Sequence, residues 1–434
     1  MGLSKVSILL FLLSVLFILS PRPLNSQTPP KPQAFTFPIR KDPTTNQYYT
    51  TITIGSNSTT FNAVLDLGGK FLWFNSLDYF NSASSYRPIL CGTRLCALAN
   101  GVGCVFCFLS PPVPGCTNNT CSDYALNPFS GTQGYNGLGT DTLHVQSSTH
   151  TYPLPDFPFQ FSDPTLRDGL AGPTAGLVGM GRTRISLHAR LAAAFGIRRE
   201  FAICLPSSSS GAAGRMVVGR ARFRGPFRNV SLFTTPLVRN PVPTDMNEEI
   251  GNFTAEYFVG LESIRVGGRT VRLNRTLLEI DRRTGAGGTG LRTVRPYTVL
   301  ERSIYGAVVE EFVRGVESMG ARRVRAVAPF GACFDSGTIR EYSRVPTIDL
   351  VMRGGGVYWR FYGWNSMVRV GGSNVVCLAF VEGRTNPTGP TTSVVVGGYQ
   401  MENYLLRFDV ENSRFGFSSA LALHGTSCSD FGAA

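Results

Sequence analysis

Two stretches of the chain deliver a carboxylate from strand-like sequence into a glycine turn. Val64-Leu65-Asp66-Leu67-Gly68-Gly69 runs two apolar β-formers into an aspartate and turns at once, before Phe71-Leu72-Trp73-Phe74 returns to strand composition. Phe334-Asp335-Ser336-Gly337-Thr338 has the same outline. Two carboxylates close enough to share one proton can divide base and acid work, one acting on a bound water and the other on a carbonyl. Taken alone, the Asp66 hexapeptide describes an ordinary Asp-containing hairpin better than a catalytic loop. The remaining chemistry-bearing residues form no constellation. His144, His150, His188 and His424 lack metal-ligand spacing and any nucleophile motif, and read as surface or incidental positions. Cys104 and Cys107 form a CxxC with no second copy, so neither metal nor cofactor is expected.

The elements that must hold these groups come from a chain of 434 residues, 43% hydrophobic and 16% charged, long enough for two core-bearing domains. Val6 to Leu19 is an apolar run behind Lys5, shorter than the roughly 20 residues that span a bilayer, and Pro21 and Pro23 follow it. It reads as a secretory leader over residues 1–26, so the mature protein is expected outside the cell with no membrane partner. Ten cysteines suit an oxidising compartment. Cys91, Cys96, Cys104, Cys107, Cys116 and Cys121 read as three disulfides of open connectivity, leaving Cys204 with Cys428 and Cys333 with Cys377. Sequons at Asn57, Asn118, Asn229, Asn252 and Asn274 fit a glycoprotein.

Charge is uneven. Of 41 basic residues only Lys5, Lys31, Lys41 and Lys70 are lysine. Residues 161–434 carry 33 Arg against 22 Asp and Glu, a net +11, whereas residues 27–160 carry six of each sign. Guanidinium binds carboxylate through two parallel hydrogen bonds, which points to an acidic partner surface. Nucleic acid is excluded by export and by the lack of a basic run interleaved with aromatics.

Period-2 segments dominate. Tyr48–Gly55 alternates into a glycine, Gly139–Val145 alternates, and residues 91–121 read as disulfide-held loop. Ser186 caps a helix over Leu187–Phe195 that Gly196 stops, and a second helix is expected from Ser303 to Met319. Gly176-Leu177-Val178-Gly179 and Val394-Val395-Val396-Gly397 are the same kind of element, one in each half. The expected fold class is mostly β and bilobed, with lobes over 27–230 and 231–434, few short helices and disulfide support.

The mature chain resembles plant pepsin-like proteins of the peptidase A1 type. It is most similar to the extracellular dermal glycoprotein and xyloglucan-specific endoglucanase inhibitor group, with basic globulins and cereal xylanase inhibitors as relatives. The resemblance rests on Leu65–Gly69 through Trp73, Pro114–Cys121, Pro296–Leu300, Gly331–Phe334, Asn365–Val368 and Arg414–Ser419. It implies a bilobed pepsin fold and a monomer. It also puts Arg292 where the second aspartate belongs, within Gly287–Tyr297, beside a relic Asp66 whose motif has lost its hydroxyls at Leu67 and Gly69. An arginine there cannot share a proton, and an Asp66–Arg292 pair is expected.

Spacing sets Asp335 aside as a decoy. Asp66 precedes Gly179 by 113 residues and Arg292 precedes Gly397 by 105, but Asp335 precedes Gly397 by only 62. The usual cleft-covering tyrosine is not evident in Tyr124–Pro128, and Asn75-Ser76 stands where the group's cysteine network begins, so one usual bridge is missing or rearranged.

The resemblance implies a secreted inhibitor of microbial cell-wall glycoside hydrolases, an endoglucanase or xyloglucanase rather than a xylanase, acting in plant defence in the apoplast. The contact residues it implies are Arg340 and Arg344 in the 335–346 loop, with Arg384 and Thr391 in the 383–393 loop. Thr391 stands where the group carries an arginine. The alternatives are an active aspartic endopeptidase and a storage or signalling globulin.

Overall fold

The computed structural model describes residues 31–107, 113–208, 213–220, 225–244, 254–354, 356–383 and 391–431. The expected leader over 1–26, the Asn252 sequon and Arg384 lie outside these residues.

Tyr48–Ile54 buries every second side chain and pairs antiparallel with Thr59–Asp66, as its alternation requires. The latter strand starts half-exposed, but Ala63–Asp66 is buried throughout because the strand gains a second neighbour. That neighbour is Thr174–Gly179, running parallel to it with Gly179 opposite Asp66. The second half repeats the arrangement. Thr289–Leu291 runs parallel to Val394–Val396, Leu291 lies opposite Val396, and the Arg292 amide donates to Val396 O at 3.1 Å. Register carried one step further sets Arg292 against Gly397, as Asp66 is set against Gly179.

Both glycines are needed for close approach. A Cβ on Gly179 would lie 2.5 Å from Gly69 O, and one on Gly397 would lie 2.5 Å from Tyr297 O. Each apolar-apolar-glycine element therefore presses its backbone against the turn that follows an Asp66-type position.

The architecture is mostly β, and the longest described helix is Arg302–Glu317. That helix starts one residue earlier and ends two earlier than its periodicity suggests. Glu301 caps it by accepting from the Ser303 and Ile304 amides, and Gly320 turns the chain at φ +85°. Leu187–Phe195 runs from Ser186 to Gly196 at φ +60°, the bounds its sequence signals mark, but the Ser186 hydroxyl donates to Thr183 O and makes no capping bond to the helix.

One core extends through both halves. Phe201 stacks on Phe408 at 4.7 Å, and Phe408 meets Tyr257 at 4.8 Å. The reading of His188 as a surface position is overturned here. It lies on the inner side of its helix, fully buried, stacked on Phe201 and 3.1 Å from the Tyr257 hydroxyl. Burial pushes its pKa down to about 3, with Arg199 adding to the effect.

All ten cysteines are paired. Cys91–Cys104, Cys96–Cys121 and Cys107–Cys116 fasten the cysteine-rich segment; Cys204–Cys428 and Cys333–Cys377 close longer loops. That segment is more than loop. Thr93 caps a helix over Arg94–Ala99, and Gly103–Val105 pairs with Thr120–Ser122, two short elements kept in register by the flanking bridges. The sequons at Asn57, Asn118, Asn229 and Asn274 are exposed.

Candidate functional site

Asp66 ends its strand in the floor of a cleft cavity of about 300 Å³, and Arg292 faces the same space from the second half. The Asp66 carboxylate is only 7% exposed and accepts from the Gly68 amide at 2.8 Å. Burial pushes its pKa up to about 6, against the lowering effects of the Gly68 amide and the Arg292 guanidinium. Glu256, a second nearby carboxylate, adds to the rise.

The expected Asp66–Arg292 pair is not what forms. Arg292 makes its ion pair with Glu256 Oε1, and Thr244 Oγ1 donates to the other Glu256 oxygen at 2.7 Å. The reason is cross-strand adjacency. Tyr257–Val259 pairs antiparallel with Thr289–Leu291, Tyr257 opposite Leu291, so Glu256 and Arg292 are the next residues along that ladder. Asp66 feels Arg292 electrostatically without being clamped by it.

A hydroxyl does bridge the halves, from an unanticipated side. Thr293 Oγ1 donates to Leu65 O at 2.5 Å and accepts from the Leu67 amide at 3.2 Å. Leu67 has no hydroxyl with which to reciprocate. Arg295 stands exposed at the cleft mouth, yet its walls crowd it enough that desolvation, then Arg292, lowers its pKa; Glu256 and Asp66 act the other way.

Above the cavity lies the hairpin formed by Thr120–Leu126 and Gln133–Gln146. Tyr124, Leu126 and Pro128 line the cavity from it, so an aromatic does stand over the cleft where none was evident in the sequence. Trp73 Nε1 donates to Leu126 O at 3.1 Å and holds the hairpin down, and Lys70 pairs with Asp123 at 3.4 Å.

Asp335 is elsewhere. It caps the turn Ser336–Thr338 by accepting from the Gly337 amide at 3.0 Å, and it pairs with Arg322. Arg322 and that amide hold its carboxyl below the usual range. It is not among the residues lining the cleft. The segment it opens presents Arg340 and Arg344, both exposed. Cys333–Cys377 anchors the segment at its root, and Thr338 Oγ1 donates to Asp335 O at 2.6 Å while accepting from the Arg322 amide at 2.9 Å. Thr391 lies apart from this loop, half-buried, with its carbonyl accepting from the Gly287 amide.

Glu256, Thr293, Arg295 and Tyr124 carry no sequence motif. Only the antiparallel register of Tyr257–Val259 with Thr289–Leu291 could have paired Glu256 with Arg292 in advance.

A two-lobed β fold with matched strand-and-glycine elements around one cleft is a pepsin-type scaffold. Its paired positions hold one aspartate and one arginine. Family models described as xylanase inhibitor N-terminal and xylanase inhibitor C-terminal match residues 48–220 and 256–419. The chain belongs to the xylanase-inhibitor family of pepsin-like proteins. It is 42% identical over 435 residues to a probable aspartic proteinase GIP2 of Nicotiana benthamiana, covering 97% of each chain. Its fold is similar to the crystal structure of edgp, with TM-score 0.86, 39% identity, and 92% and 98% of the two chains covered. It is also similar to the crystal structure of basic 7S globulin from soybean, with TM-score 0.79, 30% identity, and 92% and 99% covered.

Proposed function

We propose that this protein is a secreted, catalytically inactive pepsin-type protein that binds and inhibits microbial cell-wall glycoside hydrolases, with a leader over 1–26 and lobes over 27–230 and 231–434. The observation that carries the inhibitor reading is the loop from Asp335 to Pro346. It is pinned by a disulfide, an ion pair and a turn cap, and it presents two exposed arginines that make no side-chain ion pair with any described residue. Glycosidases place two carboxylates across the sugar cleft. A guanidinium on a rigid loop can enter such a cleft and bind bidentately with little ordering cost. The family match, whose printed description is that of xylanase inhibitors, supports the same target class. The cleft supports the loss of catalysis: with Arg292 at the second position and Glu256 engaged at both oxygens, no second carboxyl among the described residues is left to share a proton with Asp66.

The test is inhibition and pull-down of purified fungal endoglucanases, xyloglucanases and xylanases by the mature protein. Dose-dependent inhibition of at least one, lost in Arg340→Ala or Arg344→Ala, is expected. Inhibition of none would sink the reading in favour of a storage or signalling globulin. The printed name of the Nicotiana relative favours a second reading, an active aspartic endopeptidase. Cleavage of denatured globin at acid pH, blocked by a transition-state-like peptide inhibitor, separates the two.

A further inference from the structure

We propose that the cleft is a receptor for a small carboxylate carried on an apolar body, either a free organic acid or the C-terminal carboxylate of a short peptide. Arg295 supplies the anchoring charge, and Asp66 gates binding by its protonation.

The cavity is lined by both charged and apolar side chains. Its charged groups include Arg292, already held by Glu256, and Arg295, whose carbonyl accepts from the Gly398 amide but whose guanidinium makes no hydrogen bond or ion pair with a described residue. Arg292 repels Arg295, and a ligand carboxylate between them would offset that repulsion. Phe71, Tyr124, Leu126, Pro128 and Val294 supply the walls. About 300 Å³ is the size of a small-ligand site, and a single carboxylate end fits the one guanidinium that is unengaged among the described lining residues.

The charges facing Asp66 fix the sign of the pH effect. Its own turn offers the Gly68 amide; the segment after Thr289–Leu291 offers Arg292 and Arg295; the residue before Tyr257–Val259 is Glu256. Lys70, on the same turn as Asp66, is engaged by Asp123 of the overlying hairpin. With Glu256 and Arg292 cancelling, an ionised Asp66 offsets Arg295 and repels an incoming anion. Protonation, centred at about pH 6, removes that repulsion and makes the Asp66 hydroxyl a donor to the ligand. Simple carboxylic acids remain ionised at pH 5, so affinity rises as pH falls from 7 to 5.

Isothermal titration of the mature protein with phenylacetate, with acetyl-phenylalanine and with acetyl-phenylalanine amide, at pH 5 and pH 7, tests this. The acids are expected to bind about ten-fold or more tighter than the amide, and tighter at pH 5 than at pH 7. A preference for phenylacetate marks an organic acid as the source, and a preference for acetyl-phenylalanine marks a peptide terminus. Arg295→Gln should lose about ten- to a hundred-fold with an unchanged melting temperature, since the substitution keeps the backbone bond to Gly398 and the guanidinium pairs with no described residue. Asp66→Asn should bind at pH 7 as the wild type does at pH 5 and show a flat pH profile. Equal affinity for acid and amide, no detectable binding of either acid at pH 5, or full affinity in Arg295→Gln would each overturn the proposal. A pH profile unchanged in Asp66→Asn would overturn the gating role.

Discussion

Arg292→Ala is the perturbation that most directly separates the observed cleft from a merely degenerate protease site. In the wild type the Glu256 side chain is 10% exposed and Arg292 20%, and among the described residues theirs is the only ion pair either makes. Removing the arginine leaves a carboxylate buried with one neutral hydroxyl as partner. Breaking such a pair from one side costs about 3–5 kcal/mol. With an unfolding entropy of about 2.1 cal/mol/K per residue over roughly 400 ordered residues, that is a fall of about 4–6 °C in melting temperature. Calorimetry at pH 7 on Arg292→Ala, Glu256→Gln and the double variant reads it directly. The double variant should recover most of the loss, because no charge is then stranded. A melting point within about 1 °C of wild type for Arg292→Ala, or strictly additive losses in the double, would show that the two side chains do not form the pair described.

Other outcomes follow from the same geometry. Folded Asp66 holds its proton more tightly than the unfolded chain does, with a pKa of about 6 against an ordinary 3.8; its stabilising contribution is therefore full below pH 3.8 and lost as pH rises through 6. Relative to wild type, Asp66→Asn should gain on the order of 2–3 kcal/mol between pH 4 and pH 7, read by denaturant unfolding; a gap that does not change with pH would refute this. No cleavage of denatured globin is expected between pH 2 and 7, and Asp335→Ala should change nothing in that assay; pepstatin-sensitive cleavage abolished by that substitution would make Asp335 catalytic. Against an endoglucanase that the wild type binds, Arg340→Ala or Arg344→Ala should cost about 2–5 kcal/mol, roughly thirty-fold to several-thousand-fold, seen mainly in dissociation rate. Losses no larger than those at scattered surface arginines would move the interface to another face.

Local signals carried most of the fold. Ser186 and Gly196 bracket their helix, though the Ser186 side chain makes no capping bond, and alternation marks Tyr48–Ile54, because helix bounds and period are properties of neighbouring residues. The doubled strand-and-glycine element made the two halves legible, since both glycines answer the same steric demand, and the family resemblance supplied the Arg292 position. What escaped was long-range. Glu256 lies 190 residues after Asp66, in a stretch that reads only as the approach to a strand, and its role exists only through a ladder with Thr289–Leu291. Thr293 carries no local signal, because its partners, Leu65 and Leu67, belong to the other half. His188 was misjudged because a scarce polar residue on a short helix gives no sign of which face the core will take.

The six-stranded sheet that joins the two halves has a consequence for how the molecule can be taken apart. In order its strands are Ala34–Lys41, Gly214–Gly219, Glu200–Cys204, Leu405–Asp409, Arg414–Ser418 and Leu232–Val238. Three come from before residue 220 and three from after 231, and the central seam joins Phe201 to Phe408, with Cys204–Cys428 beside it. Neither half made alone would own a finished sheet. Each would expose an unpaired, apolar strand edge, the kind of template on which chains add to one another without end. A gene cut at the midpoint should therefore yield insoluble product from either fragment, and soluble protein only when the two are synthesised together and the seam can close.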